Sequence, residues 1–137
     1  MGKLSIVGTP IGNLEDITLR ALRTLREADA VFCEDTRVTK KLLSHNDIHT
    51  KVLRCDTHRE RSCAEEIIRR LSSGEHIVYV SDAGTPGVSD PGALLVRTVR
   101  AELPDAVIEA IPGASALSAA LSIAGMTSET FTFLGVL

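Results

Sequence analysis

The chain has 137 residues, 44% of them hydrophobic, which is enough apolar content for the core of one compact domain and too little length for two. With 24% charged residues and a formal net charge of −3, neither a wholly disordered chain nor an unspecific nucleic-acid binder fits. The charge is uneven, however. Residues 1–70 carry 13 of the 15 lysines and arginines against 11 acids, and residues 71–137 carry 2 against 7, so an anionic partner is expected to meet the first half.

Leu4–Val7 is a first apolar run that reads as a strand, followed by the turn-rich Gly8-Thr9-Pro10-Ile11-Gly12-Asn13. From about Asp16 to Ala28 the pattern is helical and amphipathic. Leu19, Leu22 and Leu25 recur at a spacing of three beside Arg20, Arg23 and Arg26, with Asp16 or Thr18 placed to cap the start. Ala30–Cys33 reads as a second strand ending at Glu34-Asp35-Thr36-Arg37, Val38–Ser44 as a short helix and Val52–Arg54 as a weak third strand. Ala64, Ile67, Ile68 and Leu71 mark a helix over Ser62–Leu71 that Ser73-Gly74 closes. His76–Val80 is a β-rich fourth strand, Ala93–Arg100 a helix, Val107–Ile111 a fifth strand and Ala116–Ala124 a helix stopped by Gly125. Phe131–Leu137 resembles a sixth strand.

Strands alternating with helices predict an open, mainly parallel sheet of five or six strands with helices on both faces, in a single domain over residues 1–137. Four segments then fall at carboxyl ends of strands: Gly8–Asn13, Glu34–Arg37, Ser81–Gly92 and Pro112–Ser115. That edge is where open α/β sheets bind ligands. The twelve-residue Ser81–Gly92 loop, dense in glycine and proline, far exceeds the two to six residues a plain connection needs, and its small residues let a ligand approach the main chain.

The common nucleotide and hydrolase signatures are absent. No GxGxxG follows the first strand, no GxxxxGK[ST] occurs, and there is no Ser-centred GxSxG elbow. Cys33, Cys55 and Cys63 form an odd set without CxxC spacing, and no signal peptide or long apolar span is apparent, so a reducing cytoplasm and no metal are expected. Cys55, His58 and Cys63 are close in sequence but match no zinc pattern. Asp82 and Asp90 have two open readings, attraction of a cationic ligand or capping of their own loop. Glu34, Asp35 and Arg37 likewise read as a proton acceptor with a phosphate anchor, or as an Arg–carboxylate pair that fixes the loop. Arg20-Arg23-Arg26, Lys40-Lys41 and Arg59-Arg61 are three basic stripes that suit phosphates, or solvated faces.

Gly8-Thr9-Pro10-Ile11-Gly12-Asn13-Leu14-Glu15-Asp16-Ile17-Thr18, Glu34-Asp35-Thr36-Arg37, Ser81–Gly92 and Pro112-Gly113-Ala114-Ser115-Ala116 resemble the ordered motifs of the tetrapyrrole methylase superfamily. Within it the likeness is to the branch that methylates ribose 2′-hydroxyls of bacterial small-subunit ribosomal RNA. The resemblance runs from about residue 3 to the last residue and implies the N-terminal half of a two-domain methyltransferase that binds S-adenosylmethionine between its halves. It puts Pro10, Ala83, Gly84, Thr85, Val88, Ser115 and Ala116 against that cofactor; Asp82 is expected there too, since its charge favours a cationic ligand, and Asp35, Glu34 and Arg37, at the mouth of the second strand near the expected cleft, are the catalytic candidates. It further implies small-subunit ribosomal RNA as partner, a cytoplasmic homodimer, no membrane, and little activity for this half alone. Asp56–Arg61 departs from the family's His-Glu-His-Asn-like stretch, of which only His58 is retained. Two alternatives stay open: a methyltransferase acting on a tetrapyrrole or other small molecule, and a noncatalytic cofactor-binding or dimerisation module.

Overall fold

A computed structural model describes residues 1–55, 58–88 and 90–135, and of Glu60 the backbone. Five strands, β1 (Lys3–Val7), β2 (Ala30–Cys33), β3 (Val52–Arg54), β4 (His76–Val80) and β5 (Val107–Ile111), form one sheet in the order β3-β2-β4-β1-β5. Every neighbouring pair is parallel. Five α-helices connect or follow them among the described residues: α1 (Leu19–Glu27), α2 (Thr36–His45), α3 (Glu60–Ser72), α4 (Gly92–Glu102) and α5 (Ala116–Ile123). Right-handed crossovers explain the layering. The chain steps toward β3 through α1 and α2 on one face, then returns toward β5 through α3 and α4 on the other.

Strand side chains alternate between these faces. Val7, Val31, Cys33, Val78, Val80 and Ile111 pack with Ala21, Leu25 and Leu43 of α1 and α2. Leu4, Phe32, Ile77 and Tyr79 pack with Cys63, Ala64, Ile67, Leu71, Leu95 and Val99 of α3 and α4. Burial places α3 more firmly than charge does. Ile67 and Leu71 are fully buried, each contributing roughly 1.5 to 3 kcal/mol, whereas the exposed Arg61–Glu65 and Arg69–Glu66 pairs are screened by solvent and contribute little.

Three expectations are corrected. The leucine spacing of three does not define the buried side of α1: Leu19 is 86% exposed, and the helix buries Ala21, Thr24 and Leu25 instead. At 3.6 residues per turn, two steps of three leave Leu19 about 120° from Leu25 around the helix. The second correction concerns Phe131–Gly135, which form no strand. Strand propensity takes effect against a neighbour, no described strand pairs with this stretch, and Phe131, Phe133 and Leu134 stay exposed; Val136 and Leu137 lie outside the described residues. Third, Cys55 and Cys63 are joined as a disulfide that ties the end of β3 to the first turn of α3, while Cys33 is a buried thiol. Among the described residues no group of three His, Cys, Asp or Glu side chains is arranged for a metal ion, and no helix is long and apolar enough to cross a membrane.

Candidate functional site

The first and third loops are paired directly. Thr9 and Gly84 form an antiparallel bridge, each N–H donating to the other's carbonyl at 3.0 Å. Gly84 adopts φ +80°, a backbone state that L side chains rarely hold, and this turns the loop back toward Thr9. Buried beneath the bridge, the Ser81 hydroxyl donates to the carbonyls of Ala83 and Gly84.

The other two loops join the same cluster. Thr85 Oγ1 donates to the Ala114 carbonyl at 3.1 Å, which connects the loop after β4 with the loop after β5. Gly8 and Gly113 pass so closely that a Cβ on Gly8 would stand 2.9 Å from the Gly113 backbone. The loop after β2 is attached through Asp82, whose Oδ1 accepts the Asp35 N–H at 3.0 Å. All four carboxyl-end loops are thereby one hydrogen-bonded unit at the middle of the sheet edge.

Pro10, Asp82 and Ala83 line a shared cleft of about 310 Å³ with Thr9, Leu14 and Lys41. A second concavity of about 410 Å³ lies beside it, walled by Glu34, Asp35, Thr36, Arg37 and Arg54, and the two share Asp82. The expected cofactor and acceptor residues thus meet across one aspartate. Gly84 and Thr85 reach this unit through the main-chain and hydroxyl bonds above. Val88 is exposed. Ser115 caps α5 by accepting the Ser118 N–H at 3.4 Å, and Ala116 opens that helix.

Two of the acidic candidates are held by groups of their own loops. Asp35 caps α2 by accepting the Arg37 N–H at 2.9 Å, and it also accepts Arg37 Nε at 3.2 Å and Nη2 at 3.0 Å. The Arg37 guanidinium holds this carboxyl below the usual aspartate range, so the loop-fixing Arg–carboxylate pair is realised and Asp35 is a poor proton acceptor. Asp90 builds its own loop, accepting the N–H groups of Gly87 and Gly92 at 2.8 Å. Tyr79 was not among the expected residues. Its hydroxyl is buried with no hydrogen-bond partner among the described residues, and burial, followed by the charges of Asp90 and Glu34, pushes the phenol far above its ordinary value. Of the Asp56–Arg61 stretch, Asp56 and Thr57 lie outside the described residues, as does Ser89 of the long loop.

A doubly wound parallel sheet whose carboxyl edge gathers four interlocked loops around a cleft defines a ligand-binding α/β domain. The family model for the tetrapyrrole (corrin/porphyrin) methylases matches residues 3–132, and the chain belongs to that family. It is 51% identical over 136 residues to the ribosomal RNA small subunit methyltransferase I of Xylella fastidiosa, covering 99% of this chain and 49% of that protein. The protein of the same name from Halalkalibacterium halodurans is 49% identical, over 99% of this chain and 46% of that one. The chain therefore spans about half the length of these curated relatives. Among solved structures, the uroporphyrin III C-methyl transferase of Thermus thermophilus superposes with a TM-score of 0.68 at 22% identity, covering 87% of this chain and 52% of that one. A diphthine synthase superposes at 0.69 and 22%, covering 91% and 49%. Both share the fold.

Proposed function

We propose that this chain is the half of an S-adenosylmethionine-dependent methyltransferase that carries the interlocked loops of the cofactor site and part of the acceptor site, and that the acceptor is a ribose 2′-hydroxyl of small-subunit ribosomal RNA. The observation carrying this reading is the identity of about 50% to proteins named as ribosomal RNA small subunit methyltransferases, over a span that includes all four loops. The donor set fits one side of the cofactor. Asp82 offers negative charge to a cationic ligand, Pro10 and Ala83 give a compact wall, Gly84 adds no side chain, and the main chain at Thr85, Val88, Ser115 and Ala116 offers polar groups without bulk.

S-adenosylmethionine, when bound, supplies a methyl group activated by its sulfonium. The chain's contribution is placement, since holding two reactants in line removes much of the barrier. Glu34, at the mouth of β2 and in the wall of the concavity that Arg37 also lines, is the carboxylate we assign to the hydroxyl proton. Arg37, whose side chain is 90% exposed, presents its remaining donors to an acceptor phosphate. We assign self-association to the apolar residues left exposed after α5.

The test joins this chain to the second half of the Xylella fastidiosa relative and supplies methyl-labelled S-adenosylmethionine with small ribosomal subunits. Label should enter the RNA. Arg37→Ala should lower that transfer roughly tenfold to a hundredfold, the worth of a charged hydrogen bond, with cofactor affinity nearly unchanged and the α2 cap intact. Label in a uroporphyrin-type ring with none in RNA would overturn the acceptor, and loss of cofactor binding in Arg37→Ala would make that residue purely structural.

A further inference from the structure

The two helical layers differ in charge. In α1, Arg20, Arg23 and Arg26 stand against Glu27, and α2 carries Arg37, Lys40 and Lys41 with no acid. All six cations are exposed. The opposite layer is nearly neutral: Arg61 pairs with Glu65, Arg69 and Arg70 with Glu66, and Arg70 also with Glu75. Of the three basic stripes in the sequence, the two on α1 and α2 share one side of the molecule, while Arg61 of the third pairs with Glu65 within α3. Arg20, Arg23, Lys40 and Lys41 form no ion pair with a described residue. Arg26 Nη2 donates to the Asn46 carbonyl at 3.1 Å, joining the end of α1 to the cap of α2. Arg37, Lys40 and Lys41 are spaced i, i+3, i+4 and lie on one face of α2. Lys41 also lines the cleft that holds Pro10 and Asp82, so the basic face begins at the site itself. Glu15 and Asp16, exposed ahead of α1, bound it on the side of the first loop.

We propose that the outer face of the α1–α2 layer, from Arg37 and Lys41 at the rim of the cleft across Lys40 to Arg20 and Arg23, holds the sugar–phosphate backbone of the acceptor RNA. This rests on the RNA reading above and adds the surface that would carry it. A row of exposed cations, of which only Arg37 pairs with a described carboxylate, suits a polymer with one charge per nucleotide. An anionic membrane fits less well, because an interfacial helix needs an apolar face to insert, and Ala21 and Leu25 of α1 and Leu42 and Leu43 of α2 are buried in the core.

The experiment measures anisotropy of a labelled single-stranded RNA of about 20 nucleotides with the 137-residue chain, across roughly 50 to 200 mM salt. Lys40→Glu with Lys41→Glu, and separately Arg20→Glu with Arg23→Glu, should each weaken binding at least about tenfold. Each should also flatten the log–log salt slope by about 1.4, for two phosphates at about 0.7 each. Arg97→Glu with Arg100→Glu, on α4, should bind like the parent. Circular dichroism verifies that the variants fold. Equal loss from the α4 pair, unchanged binding by the α1 and α2 pairs, no RNA binding by the parent chain at low salt, or tighter binding to phosphatidylserine vesicles than to RNA through these residues would each overturn the proposal. Titration of the Arg20→Glu with Arg23→Glu variant, which lies outside the cleft, with S-adenosylmethionine separates the two claims: RNA loss with cofactor binding retained supports this surface. RNA binding through this face without methyl transfer to RNA in the joined protein would sink the functional reading and leave the surface standing.

Discussion

Tyr79 pairs full burial with a hydroxyl that has no partner among the described residues, and a buried polar group without a partner costs about 1 to 3 kcal/mol. Tyr79→Phe keeps the ring packing against the α3–α4 layer and removes that cost, so the variant should be more stable by about 1 kcal/mol in urea denaturation followed by circular dichroism. Lower stability would show that the hydroxyl has a partner. His76 makes the complementary case. Its Nε2–H donates to Ser5 Oγ at 2.8 Å, and Ser5 Oγ in turn donates to Glu109 Oε1 at 2.8 Å. Burial, and then the charge of Lys3, holds the imidazole below the ordinary histidine range, so the unfolded chain takes up this proton more readily than the native one. The native state therefore keeps its full stability above about pH 6.5 and loses some as the pH falls from there toward the depressed native value. His76→Gln should flatten that part of the stability profile; an unchanged slope would assign it to other groups. None of this was visible in the chain, because Ser5, His76 and Glu109 are brought together only by the register of β1 with β4 and β5.

At the scale of elements, the four loops act through their contacts with one another. Gly8 and Gly113 bring the loops after β1 and β5 into backbone contact, and no side chain can yield there. Gly8→Ala should cost about 1 to 3 kcal/mol, as overpacking does, and should weaken cofactor binding by prising the loops apart, which calorimetry and thermal melts would check together. Wild-type stability and affinity would mean that the close approach is dispensable. Element positions were largely legible: β2, β3, β4 and β5 occupy the residues expected, since short β-branched runs bounded by turn formers leave few alternatives. The side of a helix was harder to read. Leu19 follows an apolar spacing and is exposed, while Ala21 and Thr24 are buried. The Asp82 to Asp35 contact spans 47 residues, and no local pattern encodes it. Arg37 shows the two open readings of its motif resolving unequally, since it pairs with Asp35 and still projects outward.

For the whole molecule, alternation of strands and helices predicts the parallel sheet but not the order β3-β2-β4-β1-β5. That order sets the loops after β1 and β4 side by side and sorts the basic helices onto one face. The disulfide between Cys55 and Cys63 was likewise unreadable from spacing, because pairing depends on where β3 ends relative to α3. The central claim is that the loops after β1, β4 and β5 together seat S-adenosylmethionine, with the loop after β2 left to the acceptor. Its most direct test is titration of isotopically labelled chain with S-adenosylmethionine while amide resonances are followed. The account predicts weak, saturable shifts confined to Thr9 and Ile11, to Asp82–Thr85 and Val88, and to Ser115 and Ala116, with the far ends of α1 to α4 unmoved. Shifts centred on the groove between α3 and α4, or none at millimolar ligand, would contradict it.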